Sequence, residues 1–161
     1  MMVPLYEHDG DLVVVLTRRT QTMRSHSGEV SFPGGAQDEG EDLWHTAVRE
    51  AHEEVDLAPG LATPIGQLDR LTTVASKSEI VPFVASLGSQ PSLVANPGEV
   101  DAILEVRLSE LVLDEVYREE LWTWPNGTVR PVFFFELYGD TVWGATASLL
   151  RQLLCIGMGI G

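Results

Sequence analysis

Three glutamates close together in one short segment are the residues of this chain best suited to chemistry. Glu50, Glu53 and Glu54 fall within five residues, in a segment whose pattern predicts a helix. Helical residues three and four apart share a face, with Cβ atoms about 5–6 Å apart, so three carboxylates enter one small volume. Like charges this close raise one another's pKa, and a hard divalent cation with oxygen ligands relieves the repulsion. With the glycine-rich turn that precedes it, the cluster indicates metal-assisted attack on a phosphate.

The alternative to a metal site is a solvent-exposed acidic face of a helix, which is what most glutamate-rich segments form. The spacing of the surrounding residues argues against it. Five residues separate Gly35 from Glu41, seven separate Glu41 from Arg49, and the glutamate cluster follows directly. This segment resembles the Nudix box, G-x5-E-x7-R-E-U-x-E-E-x-G-U, in which U is a bulky apolar residue. Two positions depart from the pattern: Ala51 is small, and Asp56 stands where the box has its second glycine.

The resemblance implies a Nudix hydrolase, a diphosphate-cleaving enzyme that needs Mg²⁺ or Mn²⁺. It implies Glu50, Glu53 and Glu54 as metal ligands, and Glu53, Arg49 and Glu50 as the catalytic set. Arg49 precedes Glu53 by four positions and is expected to hold its rotamer. Glu53 is the first choice for the general base, and Glu99 is the second. Glu41 is expected to have a supporting role.

A second motif lies upstream of the box. It comprises Val15 to Thr20 (VLTRRT), then Arg24, Gly28 and the run Phe32 to Gly35 (FPGG). This arrangement resembles the L-L-T-x-R-S-x3-R-x3-G-x3-F-P-G-G motif of the coenzyme A diphosphatase branch of Nudix enzymes. The later segment 143–147 (WGATA) is also similar to that branch. The resemblance implies hydrolysis of coenzyme A or its derivatives to 4′-phosphopantetheine and adenosine 3′,5′-bisphosphate.

Cationic and glycine residues around the box are the candidates for substrate binding. Forked guanidinium groups grip phosphate oxygens well, and glycines permit close approach of the backbone. Lys77, alone in a Thr/Ser-rich loop, is a weaker candidate for reaching a phosphate. The predicted substrate-binding residues are Arg19, Arg24, Gly34, Gly35 and Lys77. For Trp122, Trp124 and Trp143, stacking on an adenine is possible, but packing is the preferred expectation.

Two other functions remain open. One is a different Nudix activity, on ADP-ribose, NADH or a nucleoside triphosphate, since the box does not discriminate among these. The other is a nucleotide-binding Nudix module with weak or no catalysis, for which only Ala51 and Asp56 argue. Asp56 takes a position that needs positive φ if the helix ends there, and aspartate tolerates that conformation better than most residues.

Composition limits the partners. The formal charge of −14 argues against binding to nucleic acid or to an anionic membrane. One cysteine excludes an intrachain disulfide framework, and with no apparent signal peptide a cytoplasmic location is expected. A homodimer is possible. The first predicted strand starts at once, which raises the expectation of a truncated or alternative N-terminus.

The pattern of elements predicts one domain over residues 1–161, of the α/β (α+β) class. Strands are predicted at 2–6, 12–17, 63–70, 79–87, 100–107, 121–124 and 129–137, with helices near 42–55 and 143–156. The run Pro125-Asn126-Gly127 predicts a hairpin between the last two strands, and Asp42 is the expected N-cap of the first helix. The stripe Leu43, Ala47, Ala51 and Val55 is expected to face the core, with the glutamates on other faces. The family resemblance implies an α/β/α sandwich with a mixed sheet, in which the box forms a loop–helix–loop metal site.

Overall fold

A six-stranded mixed sheet forms the centre of the protein. The computed structural model describes residues 1–21, 28–73 and 77–159. The strands of this sheet are β1 (Met2–His8), β2 (Asp11–Arg19), β3 (Val30–Ser31), β4 (Thr63–Gln67), β7 (Phe83–Ser86) and β8 (Val100–Arg107). Strand β2 pairs antiparallel with β1, β3 and β8, while β1 pairs parallel with β7, whose other edge takes β4. Two short strands, β5 (Leu71–Thr72) and β6 (Glu79–Ile80), form a separate antiparallel pair.

Alternating side chains of the central strands build a core on each face of the sheet, as the two-residue period of a strand requires. Val13 and Val15 of β2 face helix α1 (Leu43–Val55), where they join Ala47 and Ala51. On the other face, Val14 and Leu16 of β2 and the later Phe135 share a core with helix α2 (Gly144–Met158). The helix contributes four buried leucines: Leu149, Leu150, Leu153 and Leu154. The helices therefore lie on opposite faces of one sheet.

A three-stranded antiparallel sheet packs beside α2. Its strands are β9 (Tyr117–Thr123), β10 (Val129–Leu137) and β11 (Asp140–Trp143), in the order β11-β10-β9. The turn between β9 and β10 closes where Gly127 N–H donates to Trp124 O at 2.8 Å. Arg18 of β2 ties the two sheets together, because its Nη1 donates to both oxygens of the buried Asp140 carboxylate while its Nε donates to Asp101.

The predicted fold class, a mixed α+β fold with a mixed sheet and two helices, is confirmed. The Pro-Asn-Gly hairpin and both helices lie where the sequence predicts them, within two residues at each end. Residues 18–35, whose composition predicts a loop with a short strand, contain β3, whereas β5 and β11 are not predicted; they span only two and four residues, too few to show a pattern. The packing expected for the tryptophans is wrong for Trp122 and Trp143, which are 41% and 49% exposed. Within the described residues, neither helix is both long and apolar enough to cross a membrane.

Candidate metal and diphosphate site

Helix α1 is capped at both ends, which places its carboxylates reproducibly against the preceding loop. Asp42 is the N-cap, and its side chain accepts hydrogen bonds from the backbone N–H groups of Trp44 and His45. At the other end Asp56 adopts the left-handed conformation, with φ 56°, and its N–H donates to Ala51 O and His52 O. The residue that replaces the glycine of the box therefore keeps the glycine conformation. Ala51, the other departure, is fully buried where α1 contacts the sheet.

Glu54 is the buried carboxylate of the cluster. Only 3% of the residue is exposed, contrary to the expectation that all three glutamates lie away from the core-facing stripe. Its Oε2 accepts a hydrogen bond from Gly34 N–H at 3.1 Å, and Arg19 Nη1 lies 3.9 Å from its Oε1. Burial, with the neighbouring Glu50 charge in support, raises the pKa of Glu54 to about 7, against the opposing effect of the Gly34 N–H.

Glu50 packs directly on the glycine turn. A Cβ on Gly35 would lie only 2.6 Å from Glu50 Oε2, and one on Gly34 would lie 2.7 Å from the Cα of Met1. Gly34 is thus required by its contact with the Met1 backbone, whereas a side chain at Gly35 would displace the Glu50 carboxylate; neither glycine has a positive φ. Burial also raises the pKa of Glu50, while Arg49 opposes the shift. Glu50 and Glu54 therefore share one crowded, negatively charged volume over the turn.

Arg49 holds the remaining carboxylates of the box. Its Nε and Nη2 donate to the two oxygens of Glu41, both at 3.0 Å, and its Nη1 donates to Glu50 and Glu53 at 3.0 and 3.2 Å. The forked pair with Arg49, aided by Thr46 Oγ1, lowers the pKa of Glu41 to about 2. The Glu53 side chain is 47% exposed, the most open of the three. The predicted Arg49–Glu53 contact is present, and Glu41 supports the arginine.

Glu99 approaches the cluster from a separate loop. Asn96 N–H donates to Glu54 O at 2.9 Å and Thr20 N–H donates to Glu99 O at 3.0 Å, so this loop is tied to both α1 and the end of β2. The negative charge of Glu99 contributes to the raised pKa values of Glu50 and Glu54. Glu99 is 45 residues from Glu54 in the sequence, and only the topology brings them together.

The predicted substrate-binding residues fall into three groups. Arg19, Gly34 and Gly35 lie around Glu50 and Glu54. Lys77 is exposed, with φ 54°, next to Ser78 at the rim of a cleft of about 580 Å³ that is also lined by Gly34, Gly35 and Thr73. Arg24 lies outside the described residues. The cleft gives a ligand direct access to the glycine turn.

The donor set suits a hard divalent cation, which prefers carboxylate oxygens. Within the described ranges, no three Asp, Glu, His or Cys side chains stand close enough together to hold a metal as they are arranged. In this arrangement Arg49 Nη1 donates to both Glu50 and Glu53, whereas Glu54 accepts from the Gly34 N–H. Glu54, whose pKa the Glu50 charge helps to raise, and Glu50, which lies over the glycine turn, are the two carboxylates that best fit a cation.

The chain belongs to the Nudix family. The model of the NUDIX domain matches residues 1–130, a range that contains the whole box, the glycine turn and the Glu99 loop. Nudix hydrolase 22, chloroplastic, of Arabidopsis thaliana is 37% identical over 158 residues, which cover 93% of this chain and 52% of that protein. NudL of Photorhabdus laumondii is 38% identical over 141 residues, covering 87% and 74%. The chain spans about half the length of the Arabidopsis relatives that it matches.

Solved structures show the same fold. An Ap4A hydrolase of Caenorhabditis elegans superimposes with a TM-score of 0.64 over 99% of this chain and 97% of its own, at 18% identity. RenU, a Nudix hydrolase of M. smegmatis, gives a TM-score of 0.65 over 99% and 84%, at 16% identity. At these identities the similarity concerns the fold alone.

Proposed function

We propose that this chain hydrolyses the diphosphate bond of a nucleoside diphosphate derivative, and that coenzyme A or one of its derivatives is the substrate. The observation that carries the reaction type is the pair Glu50 and Glu54 over Gly34 and Gly35, at the wall of an open cleft. Backbone without side chains lets a diphosphate approach closely, and the carboxylates suit the cation that such a substrate brings.

Glu50, Glu53 and Glu54 are the proposed ligands of Mg²⁺ or Mn²⁺. When bound, such an ion supplies Lewis acidity and lowers the pKa of a water molecule. Glu53 is the proposed general base, because its exposed carboxylate is able to accept a proton from water. Glu99, on the facing loop, is the alternative base. Arg49 positions Glu50 and Glu53, and Arg19 places positive charge next to Glu54.

Support for coenzyme A comes from the motif upstream of the box. Its Arg19 lies within the site, at 3.9 Å from Glu54, and its FPGG run forms the glycine turn. A substrate with a diphosphate and a 3′-phosphate benefits from such added cationic groups. The products would be 4′-phosphopantetheine and adenosine 3′,5′-bisphosphate.

A substrate panel tests the proposal. Coenzyme A, 3′-dephospho-coenzyme A, ADP-ribose, NADH and nucleoside triphosphates are incubated with the protein and Mg²⁺ or Mn²⁺, and the products are separated by chromatography. We expect coenzyme A to have the highest kcat/KM, with 3′-dephospho-coenzyme A as the matched control for the 3′-phosphate. Faster turnover of ADP-ribose than of coenzyme A would exclude the coenzyme A assignment, and no turnover of any substrate would exclude the reaction.

A further inference from the structure

A second cavity, of about 200 Å³, lies between the small sheet and the start of α2. Its walls include Trp122, Trp124 and Trp143, together with Pro131, Thr73 and Ser148. The three indoles come from separate places: the end of β9, the following turn, and the end of β11. Three tryptophans around a cavity of this size form an aromatic surface that the metal and diphosphate site does not use. We call it the tryptophan cleft.

These side chains are not packed as core residues. Trp122 and Trp143 keep almost half of their surface exposed, and each belongs to a strand that borders the cavity. Trp122 is held in place, because its Nε1 donates to Glu120 Oε2 at 2.7 Å and its ring lies 6.0 Å from that of Phe134. Exposed indoles held by neighbours are pre-organised for stacking, since little side-chain freedom remains to be lost on binding.

Trp124 offers a hydrogen bond that no described residue accepts. Its Nε1 is buried, yet it has no hydrogen-bond partner. A buried donor without an acceptor is costly, and a ligand that supplies the acceptor recovers that cost. Ring nitrogens and carbonyl oxygens of a nucleobase are acceptors of this kind, whereas an aliphatic chain has none at its apolar carbons.

The tryptophan cleft adjoins the cleft of the glycine turn. Thr73, which follows β5, lines both cavities, and it also lines a third cavity of about 180 Å³ that includes Trp143 and Glu29. A ligand anchored by its diphosphate at Gly34 and Gly35 therefore has a path past Thr73 toward the indoles. This continuity links the aromatic surface to the same substrate.

We propose that the tryptophan cleft binds the nucleobase of the substrate. The base stacks on Trp143 or Trp122, and a rotation of the Trp124 side chain turns its Nε1, which is buried in the ligand-free protein, toward a ring acceptor of the base. The proposal rests on the proposed function in one respect only, that the substrate is a nucleotide derivative. It identifies the nucleobase, for which adenine serves as the probe, as the group recognised at a distance from the bond that is cleaved.

Binding of AMP, measured by isothermal titration calorimetry in EDTA, tests the cleft without any hydrolysis. Ribose 5-phosphate is the matched ligand without a base. Stacking on an aromatic side chain contributes enough that Trp143→Ala should raise the Kd for AMP by about 5- to 100-fold. Trp124→Phe, which keeps a ring but removes the N–H, should raise it by about 3- to 10-fold. Trp44→Phe is the control, because Trp44 packs against Phe83 in the other core.

Equal binding of AMP and ribose 5-phosphate, or an unchanged Kd in both Trp143→Ala and Trp124→Phe, would overturn the proposal. So would loss of a dimer in Trp143→Ala by light scattering with no change in AMP binding, because the cleft would then be filled by a second copy. Circular dichroism spectra identify any variant that fails to fold, and Trp143→Phe replaces Trp143→Ala in that case. Tryptophan-dependent AMP binding in a protein that cleaves no substrate of the panel would support the cleft while excluding the proposed function.

Discussion

The two helices lie on opposite faces of the central sheet and are held there by different forces. Helix α1 has small apolar residues against the sheet, and directional contacts do most of the positioning: an N-cap, a left-handed C-cap and the ion pairs of Arg49. Helix α2 has no side-chain cap at its N-terminus and buries four leucines. A helix that carries functional carboxylates needs a defined rotation about its axis and a defined position along it, and directional hydrogen bonds fix both. Helix α2 needs only to cover the other face of the sheet.

The largest expected effect is on turnover when a carboxylate of α1 loses its charge. Glu53→Gln and Glu54→Gln should each lower kcat by at least about 100-fold, because glutamine retains shape but binds a cation poorly. Steady-state kinetics with the best substrate of the panel measures this effect, and thermal melts check the fold. Glu39→Gln is the matched control, because Glu39 is exposed in the loop that precedes α1, and this variant should retain full activity. Unchanged kcat in both variants would exclude the metal-site assignment.

A smaller effect, on stability rather than on turnover, is expected in α2. Leu150 is fully buried, so Leu150→Ala should lower the free energy of unfolding by about 2–5 kcal/mol, with kcat/KM unchanged while the protein is folded. Ile156→Ala, on the same helix but at a site with 68% exposure, should change it by less than about 0.5 kcal/mol. Urea denaturation measures both. An equal decrease in the free energy of unfolding in the two variants would show that burial of apolar side chains does not stabilise α2.

The smallest effect is expected at the C-cap of α1. Because Asp56 has φ 56°, Asp56→Gly should leave the free energy of unfolding within about 0.5 kcal/mol of the natural protein, while Asp56→Ala should be about 1 kcal/mol less stable than Asp56→Gly. The same urea experiment resolves the difference. Identical stability of the glycine and alanine variants would mean that the left-handed cap contributes nothing to the position of α1.

Local features of the site follow from the sequence, and long-range ones do not. The cap at Asp42, the pairing of Arg49 with Glu53 and the hairpin at Pro125–Gly127 involve residues within a few positions of one another, so periodicity and turn chemistry predict them. The contact of Gly34 N–H with Glu54 spans 20 residues, and the approach of Glu99 depends on how β8 pairs with β2. Such contacts depend on sheet order, which no local pattern contains.

The exposure of the tryptophans is another property that local sequence does not predict. Their apolar character alone favours packing, which is the expectation that the structure contradicts for Trp122 and Trp143. Both tryptophans belong to the small sheet, which packs beside α2 and is joined to the central sheet by the Arg18–Asp140 ion pair. Exposure of an aromatic residue is a property of tertiary arrangement, and sequence composition does not report it.

Glu54 belongs both to the site and to the scaffold. Its main-chain oxygen accepts from Asn96 N–H and its carboxylate accepts from Gly34 N–H, so one residue joins α1 to two loops. A substitution at this position therefore affects both the site and the contacts that hold α1. A shorter side chain would leave the Gly34 N–H without its acceptor, and cellular abundance would fall together with activity. At Glu53, whose side chain is half exposed, the proposed role predicts that substitution lowers activity while abundance persists.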